Sequence, residues 1–189
     1  MPTPPALFRI ISGGFRTRFG NDDPERDVRW VPQDPGGVCV EVGTGGGYYT
    51  AALDRRLGPK STFVTLDLSP AHLLRVRERS RGEGGSVHGI CGDGTRLPFA
   101  DETIDCLFYS YSFEEIPDTE TALAEIARVV RPGGSVVMFL WRPVAWRRKT
   151  LREIDAHMAR AFELGPSSRG PQNVRQMWLK TDRRSSVPH

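Results

Sequence analysis

Apolar residues along the middle of this chain fall in short blocks that switch between two spacings. Val38, Val40 and Val42 recur at every second residue before the run breaks at Gly43. That spacing predicts a buried strand over 38–43. Tyr49, Leu53 and Leu57 recur at every fourth residue and predict a helix over 47–57. Ser61–Asp67 (STFVTLD) is a second strand, and Ser69-Pro70 opens a helix that runs to about Arg81. Ser69 suits the N-cap there, and Pro70 suits the first helical position. Gly82-Glu83-Gly84-Gly85 closes that helix, and Ser86–Cys91 is a short third strand. Thr103–Ser110 is a fourth strand, mostly apolar. Ala122, Leu123, Ile126, Ala127 and Val130 share one face of a helix over Thr119–Val130. Pro132-Gly133-Gly134 ends it, and Ser135–Trp141 (SVVMFLW) is a fifth strand. Strands with continuously apolar cores, separated by helices, predict an α/β fold. The expected form is a doubly wound, mostly parallel sheet of five core strands with helices on both faces.

The ends are less regular. Residues 1–37 are rich in Pro, Gly and Arg, with one or two helical turns over Ala6–Ile11 and turns at 20–24 and 32–37. They form a lid or cap segment. Trp146–Leu164 has helical spacing, and Met177-Trp178-Leu179 fits either a short strand or a helix. The expected organisation is a cap over 1–37, a core over 38–145, and a helix with a flexible basic tail over 146–189.

Length and composition narrow the class. A chain of 189 residues, 38% hydrophobic and 26% charged, suits one globular domain. No apolar run reaches the ~20 residues that cross a bilayer, and the first residues lack the pattern of a signal peptide. Cys39, Cys91 and Cys106 lack metal-ligand spacing and sit on strand segments, so they read as buried, reduced thiols of a cytoplasmic protein. The net charge of +3 is unevenly spread: from Arg142 onward there are eleven Lys/Arg against four Asp/Glu. A basic end can contact nucleic acid or acidic lipid, or simply be solvated.

Chemistry concentrates where the first strand ends. Gly43, Gly45 and Gly47 allow a tight turn that brings backbone close to a ligand. Strand, glycine turn and helix build a nucleotide site at the carboxyl edge of an open sheet. Asp67 ends the second strand, twenty residues after Gly47, where a carboxylate can accept both hydroxyls of a ribose. An acid in that place also suits a helix cap. The dinucleotide fingerprint needs a third small residue, but Tyr48 occupies that position. A nicotinamide dehydrogenase is therefore disfavoured.

The spacing Glu41-x-Gly43-x-Gly45-x-Gly47 resembles the first motif of the class I S-adenosylmethionine-dependent methyltransferases. The likeness continues through Leu66–Pro70, through Gly92-Asp93-Gly94 with Leu97–Asp105, and through Arg128–Gly134, covering about 38–141 in order. The group that it most resembles is the small-molecule enzymes that include the quinone C-methyltransferases. The resemblance implies a Rossmann-like fold and S-adenosyl-L-methionine as cofactor. It puts Glu41 near the methionine amino group and Gly43, Gly45 and Gly47 beneath the methionine and ribose. Asp67 would take the ribose hydroxyls, Leu68 would pack on the adenine, and Asp93 would accept from the adenine amino group with Gly94 alongside. The end of strand four, from Tyr109 to Glu115, would face the methyl group and the acceptor, with Tyr109 touching the cofactor as well.

If the acceptor must lose a proton, the candidate catalytic groups are Tyr109, Tyr111, Glu114 and Glu115. Many relatives carry His at or beside the last two positions. Both acids also suit a capping or solvating role before Ile116-Pro117-Asp118. His72 and His88 read as structural or surface residues. Relatives finish the sheet with an antiparallel hairpin, which is not legible here. The expectation is a truncated hairpin, or a homo- or hetero-dimer in which a partner subunit completes the pocket. The alternatives to methyl transfer are a cyclisation or decarboxylation on the same cofactor site, or a non-catalytic partner subunit. Nucleic acid is disfavoured as substrate, because Tyr109-Ser110-Tyr111-Ser112 stands where an Asn/Asp-Pro-Pro-aromatic motif would be expected.

Overall fold

The computed structural model describes residues 22–82, 87–141 and 148–182. The helical turns expected over 6–11, the Gly-rich end of the second long helix and the last residues of the basic tail lie outside them. The chain forms α1 (Pro24–Asp27) with a 3-10 turn over Val28–Trp30, then β1 (Gly37–Val42), α2 (Thr50–Leu57) and β2 (Ser61–Asp67). Next come α3 (Pro70–Gly82), β3 (His88–Cys91), β4 (Ile104–Ser110), a 3-10 turn over Phe113–Glu115 and α4 (Thr119–Val129). β5 (Val130–Trp141), α5 (Arg148–Met158), β6 (Phe162–Arg169) and β7 (Asn173–Lys180) complete the order.

The seven strands lie in the order β3-β2-β1-β4-β5-β7-β6. The first five are parallel, with Val40 opposite both Val64 and Leu107. Alternation along each strand sends side chains to two cores. Leu107 and Tyr109 join Ala122, Leu123, Ile126, Ile154 and Met158 under α4 and α5. Cys106 and Phe108 join Tyr49, Ala52, Leu53 and Leu57 of the α2 region on the other face. Helices therefore cover both faces, as the continuously apolar strands require.

The expected truncation is overturned. β6 and β7 form an antiparallel hairpin, and β7 pairs antiparallel with β5, Val137 opposite Met177. Residues 162–180 thus add two strands to the sheet where the sequence reading placed a tail. Two features hid the hairpin. β7 buries Val174 and Trp178 but also Gln176 on the same face, where its amide donates to Asp155 Oδ1 at 2.8 Å. β6 is an edge strand with Phe162 alone fully buried, and Pro166 lies where its register shifts. Such an edge resists further pairing and carries little apolar signal.

Another expectation fails at Cys91, which is exposed, whereas Cys39 and Cys106 are buried. Burial pushes the Cys39 thiol up to about 12 and the Cys106 thiol up to about 11. Among the described residues no helix is long and apolar enough to cross a membrane.

Between β3 and β4 the chain runs as a loop, held by one side chain of α4. Arg128 donates to the carbonyls of Leu97 at 3.1 Å and Phe99 at 2.8 Å, to Asp101 at 2.8 Å and to both oxygens of Glu125 at 2.7 Å. All five guanidinium N–H groups are used.

At the opposite edge, Asp105 takes the Val38 N–H at 2.7 Å and Arg131 Nε at 2.6 Å. Gly37 has φ +65°, and a Cβ there would lie 1.9 Å from Asp105 Oδ2. Gly36 has φ +67° with nothing within 4 Å. Gly36→Ala is expected to cost about 1 kcal/mol through backbone strain alone, and Gly37→Ala some 2 kcal/mol more. Urea denaturation separates them; equal midpoints would show that the Asp105 contact does not matter.

Candidate cofactor site

The strand order reverses between β1 and β4, and at such a switch point the carboxyl ends of the strands leave a crevice. The residues predicted from the glycine spacing converge there. Gly43, Gly45 and Gly47 have φ of +74°, +55° and +72°, a region that side chains strain to adopt. A Cβ on Gly43 would lie 2.3 Å from Ser112 Cβ, and Ser112 Oγ donates to Val42 O at 2.6 Å. The end of β4 is thereby pressed against the first glycine.

The β1 and β2 loops are stitched together. Gly43 N–H reaches Leu66 O at 2.7 Å, and Gly45 N–H reaches Asp67 Oδ2 at 2.8 Å. Asp67 Oδ1 accepts the Ser69 N–H at 2.8 Å and lies 3.1 Å from His72 Nδ1. His72, set aside at the sequence level, therefore belongs to this cluster. The signal that could have found it is its place in the first turn of α3, five residues after the acid.

Glu41 sits at the floor, 1% exposed. Its Oε2 accepts the Thr50 hydroxyl at 2.6 Å and the Thr44 hydroxyl at 2.9 Å. Burial pushes this carboxyl up to about 7; the two hydroxyls pull it back and the nearby Asp67 charge adds to the rise. Leu68 is 68% exposed. Asp93 is exposed, and its Oδ1 accepts the Thr95 N–H at 2.8 Å. Gly94 is packed so that a Cβ would meet Ile116 Cδ1 at 2.9 Å and Val42 Cγ1 at 3.7 Å.

The acceptor side differs more from expectation. Tyr109 is fully buried, edge-on to Phe113 at 5.4 Å, in the core beneath α4. It does not open to the crevice, and burial raises its phenol. Glu114 turns back to accept the backbone N–H of Trp141 at the end of β5. Glu115 is exposed on the same short turn. Tyr111 adopts φ +54°, which strains a bulky residue, and donates its hydroxyl to Asp22 Oδ1 at 2.8 Å.

Tyr111 leads to a cluster that the sequence did not announce. Arg175 Nη2 lies 2.9 Å from both Asp22 Oδ1 and Asp27 Oδ2, and its guanidinium stands 5.1 Å from the Phe139 ring centroid. Asn173 Nδ2 is 3.3 Å from the Tyr111 hydroxyl, and the Tyr48 hydroxyl donates to Asp22 O at 3.1 Å. The cluster ties the residues before β1 to the glycine turn, the end of β4 and β7. Burial raises the Asp22 carboxyl, with Tyr111 and Arg175 opposing.

These residues fit S-adenosylmethionine. Among the described residues Glu41 contacts hydroxyls and no cation, so the cofactor's ammonium would supply the missing charge. The positive-φ glycines give a cradle without side chains, the Asp67 carboxylate at the end of β2 could accept ribose hydroxyls, and Leu68 offers an exposed apolar face to a base.

The comparisons agree. A family model described as a methyltransferase domain matches residues 40–138, more than half of the chain. The ubiquinone/menaquinone biosynthesis C-methyltransferase of Pasteurella multocida is 30% identical over 105 residues, 54% of this chain and 39% of that protein. A malonyl-[acyl-carrier protein] O-methyltransferase of Marinomonas sp. is 33% identical over 113 residues, 60% of this chain and 41% of that protein. The chain thus spans about two fifths of the length of these relatives. Its fold matches the crystal structure of an S-adenosylmethionine-dependent methyltransferase from Aquifex aeolicus with a TM-score of 0.76 at 19% identity, covering 95% of this chain and all of that one. The ordered motifs, the crevice they build and the family match lead to one conclusion: this chain belongs to the methyltransferase-domain family.

Proposed function

We propose that the protein transfers a methyl group from S-adenosylmethionine to a small-molecule acceptor by in-line displacement. The observation that carries this reading is Glu41, a buried carboxylate whose contacts are hydroxyls, beside three positive-φ glycines and Asp67. The cofactor supplies a methyl group already activated by its sulfonium. What remains for the protein is to bind, align and exclude water. We assign Glu41 to the ammonium, Gly43, Gly45 and Gly47 to the underside of the methionine and ribose, and Asp67 to the ribose hydroxyls. Leu68 and Gly94 would flank the adenine, and Asp93 would accept from its amino group.

On the acceptor side, Tyr109 is committed to the core and Glu114 to the Trp141 N–H. Tyr111 is buried with its hydroxyl on Asp22, so of the four predicted groups the exposed Glu115 is the candidate to face an acceptor. This arrangement favours nucleophiles that arrive already deprotonated, such as enolates, phenolates or thiolates, for which a strong general base adds little. The three free cysteines suit a reducing compartment, and we place the reaction in the cytoplasm.

Calorimetry with S-adenosylmethionine and S-adenosylhomocysteine tests the cofactor half. Micromolar binding of both is expected, and Asp67→Ala should weaken it by ~1–3 kcal/mol through lost charge-assisted hydrogen bonds. Absent binding would overturn the proposal, and unchanged binding by Asp67→Ala would remove the pose. Phenols, quinones and amines, supplied with labelled cofactor, test the acceptor half.

A further inference from the structure

We propose that His72 holds a hydrogen bond on Asp67 that the cofactor's ribose must displace, so that this histidine sets the affinity of the site against its own ligand. The inference rests on the reading of Asp67 as the ribose acceptor. An ionised carboxylate accepts only, and offers about four lone-pair sites. Three donors already occupy Asp67: the Gly45 N–H on Oδ2 at 2.8 Å, the Ser69 N–H on Oδ1 at 2.8 Å, and His72 Nδ1 on Oδ1 at 3.1 Å. A ribose that binds through both hydroxyls needs two sites, one on each oxygen. Oδ2 has one left. Oδ1 has none until a donor leaves.

Which donor leaves follows from what each is attached to. The Gly45 N–H belongs to the glycine turn, whose own shape is fixed by Gly47 N–H on Thr44 O at 2.9 Å. The Ser69 N–H belongs to the entry of α3, where Ser69 O takes the His72 N–H at 3.0 Å. Moving either would dismantle the site. The imidazole is held by rotatable bonds, and its side chain is 24% exposed. It can swing from Oδ1 without disturbing the backbone. Because Asp67 Oδ1 accepts, Nδ1 carries the proton in this contact. In the free protein the ring therefore stands in for one ribose hydroxyl and keeps a carboxylate that is 8% exposed satisfied.

The test uses the full chain, with S-adenosylhomocysteine and its 2′,3′-dideoxy analogue as probes. His72→Leu removes the donor while retaining a good helix former. His72→Asn keeps a donor at the place of Nδ1. Titration calorimetry is expected to show His72→Leu binding S-adenosylhomocysteine about three- to tenfold tighter than the native protein. His72→Asn should bind within twofold of native, and the gain should vanish for the dideoxy analogue. Equal or weaker binding by His72→Leu would overturn the proposal, as would a gain of the same size for both probes. An independent readout needs no variant: the His72 ring nitrogen resonances should shift on addition of S-adenosylhomocysteine and not of the dideoxy analogue. A ring that does not respond overturns the proposal even if His72→Leu fails to fold. Failure of the native protein to bind S-adenosylhomocysteine would instead bring down the cofactor reading and this inference with it. Binding that survives Asp67→Ala unchanged would do so through the pose alone.

Discussion

Glu41→Gln is expected to stabilise the cofactor-free protein at pH 8 and to weaken its hold on S-adenosylmethionine. The carboxyl lies at the floor of the crevice, 1% exposed, with two threonine hydroxyls on one oxygen. Burial raises it from 4.5 to about 7. In the unfolded chain it ionises near the ordinary value, so between the two values the folded protein holds a proton that the unfolded chain has lost. The stability that this proton represents is complete below about pH 4.5 and is lost as pH rises through about 7. The full difference amounts to roughly 3 kcal/mol. Glutamine does not titrate. The variant should match the native protein near pH 4.5 and exceed it progressively up to pH 8, read from urea midpoints at several pH values. Binding should move the other way, by about tenfold or more, because the charge that meets the ammonium is gone. A stability difference that is flat with pH would refute the account of Glu41 as an uncompensated buried acid. A difference that grows with pH would instead show a residue placed for its ligand at a cost to the empty fold, a trade that functional sites commonly show.

Arg175→Leu should be among the most destabilising single changes in the chain. The guanidinium side chain is 13% exposed and bridges Asp22 and Asp27, whose side chains are 0% and 1% exposed. Removing the guanidinium that bridges them leaves two buried carboxylates facing each other's field, and such a break costs about 3–5 kcal/mol. Asp27 keeps Arg26 Nε at 2.8 Å on its other oxygen, so Asp22 is the more stranded of the two. Asp22→Asn added to Arg175→Leu should therefore recover part of the loss. The double-mutant cycle in urea measures the coupling directly. A cost under 1 kcal/mol, or no recovery from the second change, would mean that the cluster is solvated enough to manage without its arginine. The consequence reaches the crevice, because Asp22 also holds the hydroxyl of Tyr111, the strained residue at the end of β4.

The two changes probe parts of the molecule that differ in how visible they were. The glycine turn, Glu41 and Asp67 could be read directly, because they lie in one continuous strand-turn-helix-strand segment whose spacings are local. α4 was equally plain: its apolar face repeats with helical period, and Asp118 caps it by accepting the Thr121 N–H at 3.0 Å. The same reading failed at the hairpin, since an edge strand with one buried apolar side chain and a partner that buries Gln176 leave no alternating stripe.

Tyr109 and Glu114 show a subtler limit. Both lie in the segment that the motif order places at the crevice. Which face of β4 a residue joins depends on how the strand sits between the two helical layers, and Tyr109 shares the face of Leu107, toward α4. Glu114 finds the Trp141 N–H only because β5 ends beside the turn after β4.

From the sequence alone came what short-range periodicity and backbone chemistry can encode: the order of strands and helices in the core, the parallel sheet, the glycines that must take positive φ, and the acids at the strand ends. The tertiary structure decided the rest: the closing hairpin, the side of the sheet on which each tyrosine lies, the hydrogen bond of His72 to Asp67, and the union of Asp22 with Arg175 across 153 residues of chain. The physical reason is that a hydrogen bond or ion pair is specific only once both partners are in place. Nothing in the local sequence around one partner records where the other will come from.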